Sequence, residues 1–264
     1  MNIIEARKSL VKQIRDFMGT RNAVIGESGG VDSALVTFLC VEALGENRVI
    51  ARTMPYGEQS TIDADAVANI LNISNYGCIN IKPSVDSFGF KKGMTIGNAK
   101  ARVRMINLYA LAAENNGLVI GTSNKTEMMI GYFTKYGDGG CDVEPIADLF
   151  KTEVWEMAKT YLNFPANIIQ KSPSAELWEG QTDEGEIGMS YSEMDAILRC
   201  VEKYLPLDVS RETQLNILSI LRDLDVKFDD IMTDNYPNVS KIISMHLNTE
   251  HKRNMPKTFY LTKK

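Results

Sequence analysis

One stretch of eight residues combines glycines, hydroxyls and two acids. It consists of Gly26, Glu27, Ser28, Gly29, Gly30, Val31, Asp32 and Ser33. The apolar run 23–25 before it predicts a buried strand, and residues 34–44 after it have apolar side chains at helical spacing. Such a turn presents backbone N–H groups at a helix start, which favours an anion such as phosphate. The pattern predicts a phosphate-binding loop, although a glycine-rich turn with a capping Asp or Ser is also ordinary in α/β proteins.

The acid in this loop indicates a metal ion. Asp32 stands where the common mononucleotide-binding loop has a lysine. A carboxylate beside phosphates is favourable when a cation lies between them, and Mg²⁺ is usually held by one or two carboxylates together with phosphate oxygens. The string Ser-Gly-Gly-x-Asp-Ser resembles the loop of the ATP-pyrophosphatases, which cleave ATP between the α and β phosphates. That group includes GMP synthetase, argininosuccinate synthetase, NAD⁺ synthetase and tRNA-modifying ligases.

Strand and helix patterns alternate through the first 150 residues. Strands are predicted over 23–25, 49–54, 77–81, 118–122 and 141–146. The alternation predicts an α/β fold with a Rossmann-like, doubly wound parallel sheet of five strands and helices on both faces. Ligands of such sheets bind beyond the carboxyl ends of the strands, and three motifs follow strands one, four and five.

The pattern becomes helical after residue 150. Helices are predicted over 151–162, 191–204 and 212–224, with another before residue 250. The segment 171–188 lacks periodicity, and we expect a mobile loop that closes over substrate, with a passive surface linker as the alternative. The prediction is therefore a single domain over 1–264, with an α/β nucleotide-binding core over 1–150 and a helical part over 151–264.

Composition limits the possible partners and compartment. The net charge of −5 argues against a general nucleic-acid binder, and no apolar stretch is long enough to cross a membrane. The four cysteines are far apart and form no Cys-x-x-Cys pair, which is typical of reduced thiols. We expect a cytoplasmic enzyme.

Six further stretches resemble the ammonia-dependent NAD⁺ synthetase family, in the order of that family and over nearly the whole chain. They are residues 100–105, 121–127, 133–140, 172–177, 188–191 and 251–252. The most specific is Phe-Thr-Lys-Tyr-Gly-Asp-Gly-Gly at 133–140. The resemblance implies amidation of deamido-NAD⁺ (nicotinic acid adenine dinucleotide) to NAD⁺ with ammonia, the last step of NAD⁺ biosynthesis. ATP would form an adenylated intermediate and release AMP and pyrophosphate, in a homodimer that binds the dinucleotide at its subunit interface.

The same resemblance implies roles for individual residues. Besides the loop 26–33, the ATP-binding residues would be Thr122, Lys151 and Ser174. The residues that bind deamido-NAD⁺ would be Arg102, Lys135, Asp142, His251 and Lys252. Asp32 and Glu127 would hold Mg²⁺, and Asp32, Lys151 and Asp142 would be catalytic. Taken alone, Glu127 is more typical of a capping acid early in a helix, and Lys151 is more typical of a solvated surface lysine.

Some alternatives remain at this point. Many family members have an arginine directly before the Pro-Tyr-Gly turn, whereas this chain has Thr53 there and Arg52 one position earlier. A shift of one residue along a strand reverses the face, so no adenine-contacting arginine is assigned. The loop also fits another adenylating ligase, GMP-synthetase-like or tRNA-modifying, or a nucleotide sensor without turnover. The presence of both predicted metal carboxylates argues against the sensor.

Overall fold

The structure is a computed structural model that describes residues 2–91, 93–162, 164–174, 178, 180–204 and 236–259. The helix predicted over 212–224 and residues 175–177 of one family stretch lie outside these ranges. No described helix is long and apolar enough to cross a membrane.

The centre of the fold is a parallel sheet in the order β3-β2-β1-β4. Its strands are β1 (Asn22–Gly26), β2 (Val49–Thr53), β3 (Asn75–Cys78) and β4 (Gly117–Ile120). The chain builds outward from β1 to β3 and then returns to the other side of β1 for β4. This reversal confirms a doubly wound sheet, and its switch point lies between β1 and β4.

The prediction of a fifth strand over 141–146 was wrong for the described residues, whose sheet has four strands. The segment pairs with β4 as an isolated parallel bridge between Ile120 and Val143 and does not form a ladder. One reason is Pro145, which has no N–H to donate to a ladder.

Side chains complete the edge of β4 where the fifth strand was expected. The Val119 N–H donates to the Asp142 carboxylate at 2.8 Å, and the Ser123 N–H donates to the Glu144 carboxylate at 3.0 Å. Two acids therefore accept hydrogen bonds that strand carbonyls would otherwise accept.

Helices cover the chain between and after the strands. The first five are α1 (Ile3–Met18), α2 (Val31–Leu44), α3 (Ile62–Ile70), α4 (Lys82–Asp86) and α5 (Gly93–Glu114). The others are α6 (Lys125–Ile130), α7 (Lys151–Tyr161), α8 (Ala166–Ile169), α9 (Asp183–Ile187), α10 (Tyr191–Tyr204), α11 (Tyr236–Asn248) and α12 (Glu250–Arg253). Short α9 lies inside the segment 171–188, where Thr182 caps it by accepting from the Gly185 N–H at 3.2 Å.

Both faces of the sheet are covered by helices, as predicted. On β1, Ala23 and Ile25 pack into a core shared with α1, α2 and α7. Val24, which points to the opposite face, packs with Val119 of β4 and Ala112 of α5. The alternation of side chains along one buried strand thus divides the core into two layers.

The chain forms two compact units. The first consists of residues 1–125 and 133–188 and contains the whole sheet. The second consists of residues 126–132 and 189–264, and in it α10 packs against α11. The helix α6 begins at the end of the first unit and continues in the second. The single-domain assignment, with its division near residue 150, stays a prediction.

Candidate active site

The glycine-rich loop connects β1 to α2 and lies against the start of α3. Gly29 has a φ of +76°, which favours glycine. A Cβ atom on Gly29 would also lie 2.5 Å from the Asp63 Cβ and 2.7 Å from the Ala64 backbone nitrogen. The positive φ and the lack of space for a Cβ atom both require glycine at this position, where the loop lies close to the first turn of α3.

The loop is closed by hydrogen bonds among its own residues. The Gly30 N–H donates to Ser28 Oγ at 3.2 Å, the Ser28 N–H donates to Ser33 Oγ at 3.3 Å, and the two hydroxyls lie 3.0 Å apart. Serine hydroxyls therefore accept from two of the N–H groups that could bind an anion. A phosphate oxygen could replace them, because it is a stronger acceptor.

Glu27 lies beneath the loop. It is only 1% exposed, and its carboxylate accepts from the Gly29 N–H at 2.9 Å, Ser33 Oγ at 2.6 Å and Thr37 Oγ1 at 2.7 Å. Burial raises the pKa of Glu27, against the hydrogen bonds from Ser33 and Thr37, which lower it. Its N–H donates to the Arg52 carbonyl at 2.9 Å. These contacts make Glu27 an internal support of the loop, and its predicted contact with ATP stays a prediction.

Asp32 joins three segments at the switch point between β1 and β4. One carboxylate oxygen accepts from Asn124 Nδ2 at 3.0 Å, and the other forms an ion pair with Lys151 Nζ. The Lys151 side chain is 2% exposed and that of Asp32 is 19% exposed, so the pair is shielded from water. Lys151 begins α7 and is buried, which excludes the alternative of a solvated surface lysine.

Asn124 is a site residue that sequence reasoning missed. It is fully buried after β4 and orients the Asp32 carboxylate by the hydrogen bond just described. The available signal was its position within the family stretch 121–127, between Thr122 and Glu127. Thr122 itself follows β4 at the carboxyl edge of the sheet and is half-buried.

Glu127 lies in the first turn of α6, within the second unit. Its Oε1 atom accepts from the Tyr191 hydroxyl at 3.2 Å, and Tyr191 is fully buried. Glu127 and Asp32 both provide carboxylate oxygen, the ligand that Mg²⁺ prefers, so their chemistry fits the predicted metal. Among the described residues no group of three or more His, Cys, Asp or Glu side chains forms a metal cluster.

Ser174, predicted to contact ATP, has a neighbour within its own segment. Its hydroxyl donates to the Gln181 carbonyl at 2.7 Å. Ser174 is half-buried.

The predicted dinucleotide residues Arg102 and Lys135 are brought together within the first unit. Arg102 is exposed on α5, and its guanidinium donates to the Lys135 carbonyl at 3.3 Å. The Lys135 ammonium lies 5.3 Å from the centre of the Tyr136 ring. Asp142 lies beside β4, where it accepts from the Val119 N–H and also from the Tyr109 hydroxyl at 3.3 Å.

The predicted basic cluster near the C-terminus contacts the end of α6. Lys252 Nζ donates to the Gly131 carbonyl at 2.7 Å, and Arg253 donates to the Met129 carbonyl at 3.1 Å. Cations at a helix C-terminus are favourable because of the helix dipole. His251 is exposed. Lys252 therefore has a structural contact that the sequence did not reveal.

Arg52, to which no nucleotide contact was assigned, is held along the sheet. Its guanidinium donates to the Asn75 carbonyl at 2.8 Å and to Asn75 Oδ1 at 2.9 Å. The side chain therefore joins β2 to β3.

A doubly wound parallel sheet with a glycine-rich loop at its switch point defines a nucleotide-binding α/β protein. A family model described as NAD synthase matches residues 3–256. The chain belongs to this family.

Individual relatives extend the comparison. The chain is 42% identical over 250 residues to the "NH(3)-dependent NAD(+) synthetase" of Thermoplasma acidophilum, covering 92% of each chain. Its fold is similar to the NMN synthetase of Francisella tularensis, with a TM-score of 0.78, 34% identity and 98% of each chain covered. It is also similar to the NH3-dependent NAD synthetase of Campylobacter jejuni, with a TM-score of 0.75 and 30% identity over 98% of this chain and 100% of the other.

Proposed function

We propose that the protein is a ligase that converts deamido-NAD⁺ and ammonia to NAD⁺ at the expense of ATP, the last step of NAD⁺ biosynthesis. The observation that carries this proposal is the convergence of the glycine-rich loop, Asp32 and buried Lys151 at the switch point of the sheet. Membership of the NAD synthase family favours this reaction over that of another adenylating ligase.

In the proposed site, ATP phosphates bind the loop 26–33 and Lys151, with Thr122 and Ser174 as further contacts. Lys151 supplies the positive charge that the loop itself lacks, because the loop has two acids and no base. Asp32 and Glu127 hold Mg²⁺, which would neutralise phosphate charge. The Asp32–Lys151 pair supports this assignment, because a buried charge needs a charged partner. On binding, the cation would replace Lys151 beside Asp32, and phosphate would replace Asp32 beside Lys151.

The second substrate binds Arg102, Lys135, Asp142, His251 and Lys252. Arg102 and Lys135 are neighbours, and their charges suit the pyrophosphate of a dinucleotide. The protein is a homodimer in this proposal.

The chemistry consists of two displacements. The nicotinate carboxylate oxygen attacks the α-phosphorus, the bond to the bridging oxygen breaks, and pyrophosphate leaves. Ammonia nitrogen then attacks the activated carbonyl carbon, the bond to AMP breaks, and the nitrogen loses a proton to give the amide. Positioning and charge neutralisation carry both steps, and no side-chain nucleophile is required.

Location and nitrogen source complete the proposal. Free thiols at Cys40, Cys78 and Cys141 support a cytoplasmic location. Burial raises the pKa of Cys40 to about 12 and also raises that of Cys141, so neither thiol is a ready nucleophile for glutamine. Ammonium should therefore support turnover, and glutamine freed of ammonia should not.

A second candidate function is synthesis of nicotinamide mononucleotide (NMN) from nicotinic acid mononucleotide by the same chemistry. The observation that favours it is the similarity to the NMN synthetase, which covers 98% of both chains. The two functions differ only in whether the substrate carries an adenylate half.

One experiment tests both functions. The purified protein is incubated with ATP, Mg²⁺, ammonium and either deamido-NAD⁺ or nicotinic acid mononucleotide, and AMP and the amide are measured. We expect a higher kcat/KM with deamido-NAD⁺. Preference for the mononucleotide would favour the second candidate, and absence of AMP with both substrates would contradict both. A parallel reaction with ammonia-free glutamine tests the nitrogen source.

A further inference from the structure

The helix α6, which carries Glu127, is joined to α10 by two hydrogen bonds between hydroxyls and carboxylates. The Tyr191 hydroxyl donates to Glu127 Oε1 at 3.2 Å. The Thr126 hydroxyl donates to Asp195 Oδ1 in the opposite direction. Tyr191 and Thr126 are fully buried and Asp195 is 2% exposed, so both bonds are anchored in the interior of the second unit.

Burial of Tyr191 fixes the direction of its hydroxyl. A fully buried phenol ring cannot swing away from its partner, and its O–H loses a hydrogen bond if the partner moves. The glutamate side chain, in contrast, is half-buried and has three rotatable torsions. The tyrosine hydroxyl therefore favours the orientation of the carboxylate in which Oε1 accepts its hydrogen bond.

The opposite end of α6 is also held. His246 Nδ1 donates to the Met129 carbonyl at 2.7 Å, and Thr249 Oγ1 donates to the Ile130 carbonyl at 3.1 Å. Gly131 has a φ of +68°, and a Cβ atom there would lie 2.2 Å from the Thr249 side chain. These contacts fix the α6 backbone near both ends, so the hydrogen bond from Tyr191 acts on a carboxylate that the helix holds in place.

We propose that Tyr191 is a positioning residue that orients the Glu127 carboxylate for the divalent cation. This inference rests on the metal-binding role of Glu127 in the proposed function. Partners that orient ligating carboxylates typically contribute about 10- to 100-fold to metal affinity. Because 3.2 Å is long for a hydroxyl donor, we expect the lower end of that range, about tenfold.

The test measures binding of Mn²⁺, a paramagnetic substitute for Mg²⁺, by electron paramagnetic resonance in the presence of a non-hydrolysable ATP analogue. Tyr191→Phe removes the hydroxyl and keeps the ring. Tyr76→Phe is the matched control, because the Tyr76 hydroxyl also donates to a carboxylate, Asp65 Oδ1 at 2.6 Å, in the first unit. We expect Tyr191→Phe to weaken Mn²⁺ binding about tenfold and Tyr76→Phe to leave it unchanged.

Glu127→Gln separates failure of this inference from failure of the proposed function. If Glu127→Gln binds Mn²⁺ as the wild type does, the metal role of Glu127 is wrong and the inference falls with it. If Glu127→Gln loses affinity but Tyr191→Phe does not, only the inference is overturned. Thermal unfolding of each variant is measured without metal, so a loss of affinity is not mistaken for a loss of fold.

A second variant, Thr126→Val, is measured in case Tyr191→Phe does not fold. Thr126→Val removes the other hydroxyl bond between α6 and α10 with little change in shape. We expect a weaker loss of Mn²⁺ affinity, about threefold, since Glu127 keeps its tyrosine partner and only the helix is loosened. Unchanged affinity in a folded Thr126→Val variant would overturn the view that α10 positions α6.

Discussion

The residues around Asp32 and the residues predicted to bind the dinucleotide differ in how the folded chain holds them. Lys151 is buried and paired with Asp32, and buried Asn124 donates to the other carboxylate oxygen. Arg102 and His251 are exposed. The comparison teaches that the residues proposed to bind phosphate are held in the interior, whereas two of the cations proposed to bind the dinucleotide lie at the surface.

This difference has an energetic meaning. A preformed site does not lose side-chain freedom when its ligand binds, whereas each long exposed side chain that is immobilised costs about 0.5–1.5 kcal/mol. The dinucleotide must offset that cost, or a partner subunit must restrict the same side chains beforehand. A shared site in a homodimer would provide the second solution.

The largest expected effects come from the two carboxylates assigned to the metal. Asp32→Asn and Glu127→Gln should each reduce pyrophosphate formation by on the order of a hundredfold or more, because each keeps the shape but removes the charge. The two should differ in stability. Asp32→Asn also removes the carboxylate partner of buried Lys151 and should lower the melting temperature, whereas Glu127→Gln should not.

Pyrophosphate release and thermal unfolding are measured on the same preparations. A near-normal rate in either variant with Mg²⁺ would contradict the metal assignment. An unchanged melting temperature in Asp32→Asn would contradict the preformed character of the phosphate site.

The next prediction distinguishes the two regions by the substrate whose KM changes. Arg102→Ala should raise the KM for deamido-NAD⁺ about 10- to 100-fold, the effect of one charge-assisted hydrogen bond, and leave the KM for ATP unchanged. Its melting temperature should stay the same, since Arg102 is exposed and makes only a 3.3 Å contact. Steady-state kinetics with each substrate varied in turn provide the measurement. An equal rise in both KM values would mean that the regions are not separate.

Mixed dimers test whether the surface site is shared. Asp32→Asn and Arg102→Ala subunits are exchanged and assayed with deamido-NAD⁺ well below its KM, where each variant alone is nearly silent. If ATP and Arg102 belong to different chains, each mixed dimer has one intact site. Because random pairing makes about half of the dimers mixed, about a quarter of wild-type activity should return. No recovery despite proven exchange would assign both residues to one chain.

The smallest effect concerns Glu144, beside the dinucleotide residue Asp142. Burial raises the pKa of Glu144 from 4.5 to about 7, against hydrogen bonds from Cys141 and Ser123. The folded protein holds this proton more tightly than the unfolded chain does. The contribution of Glu144 to the free energy of unfolding is therefore fully present below pH 4.5 and is lost as the pH rises through about 7. Urea unfolding at several pH values should show this slope in the wild type and less of it in Glu144→Gln. Equal slopes would contradict the raised pKa.

Much of the phosphate site could be predicted from the sequence because its elements are local. The strand, the glycines and the helix start are contiguous, and hydrophobic spacing defines them without knowledge of distant residues. The burial of Lys151 could not be predicted in this way, since its partner Asp32 is 119 positions earlier in the chain. Family resemblance found the residue, but its environment required the fold.

In two other places, the segment 141–146 and Glu27, the structure depends on contacts that residue spacing does not reveal. The alternation over 141–146 is typical of a strand, yet side-chain carboxylates accept the hydrogen bonds that a fifth strand would accept. The burial of Glu27 is likewise not visible in the sequence. Three internal donors stabilise its carboxylate beneath the loop, and only the folded backbone brings Thr37 to it.

The docking of residues 246–253 on α6 has a consequence for how the protein is made. The ribosome synthesises the sheet, the loop and Asp32 before the residues that support α6. A nascent chain that ends before residue 236 has the loop 26–33 complete but lacks His246, Thr249 and Lys252. We therefore expect such a truncated chain to keep the loop and to lose these contacts with α6, so that the proposed binding of the cation by Glu127 is weakened.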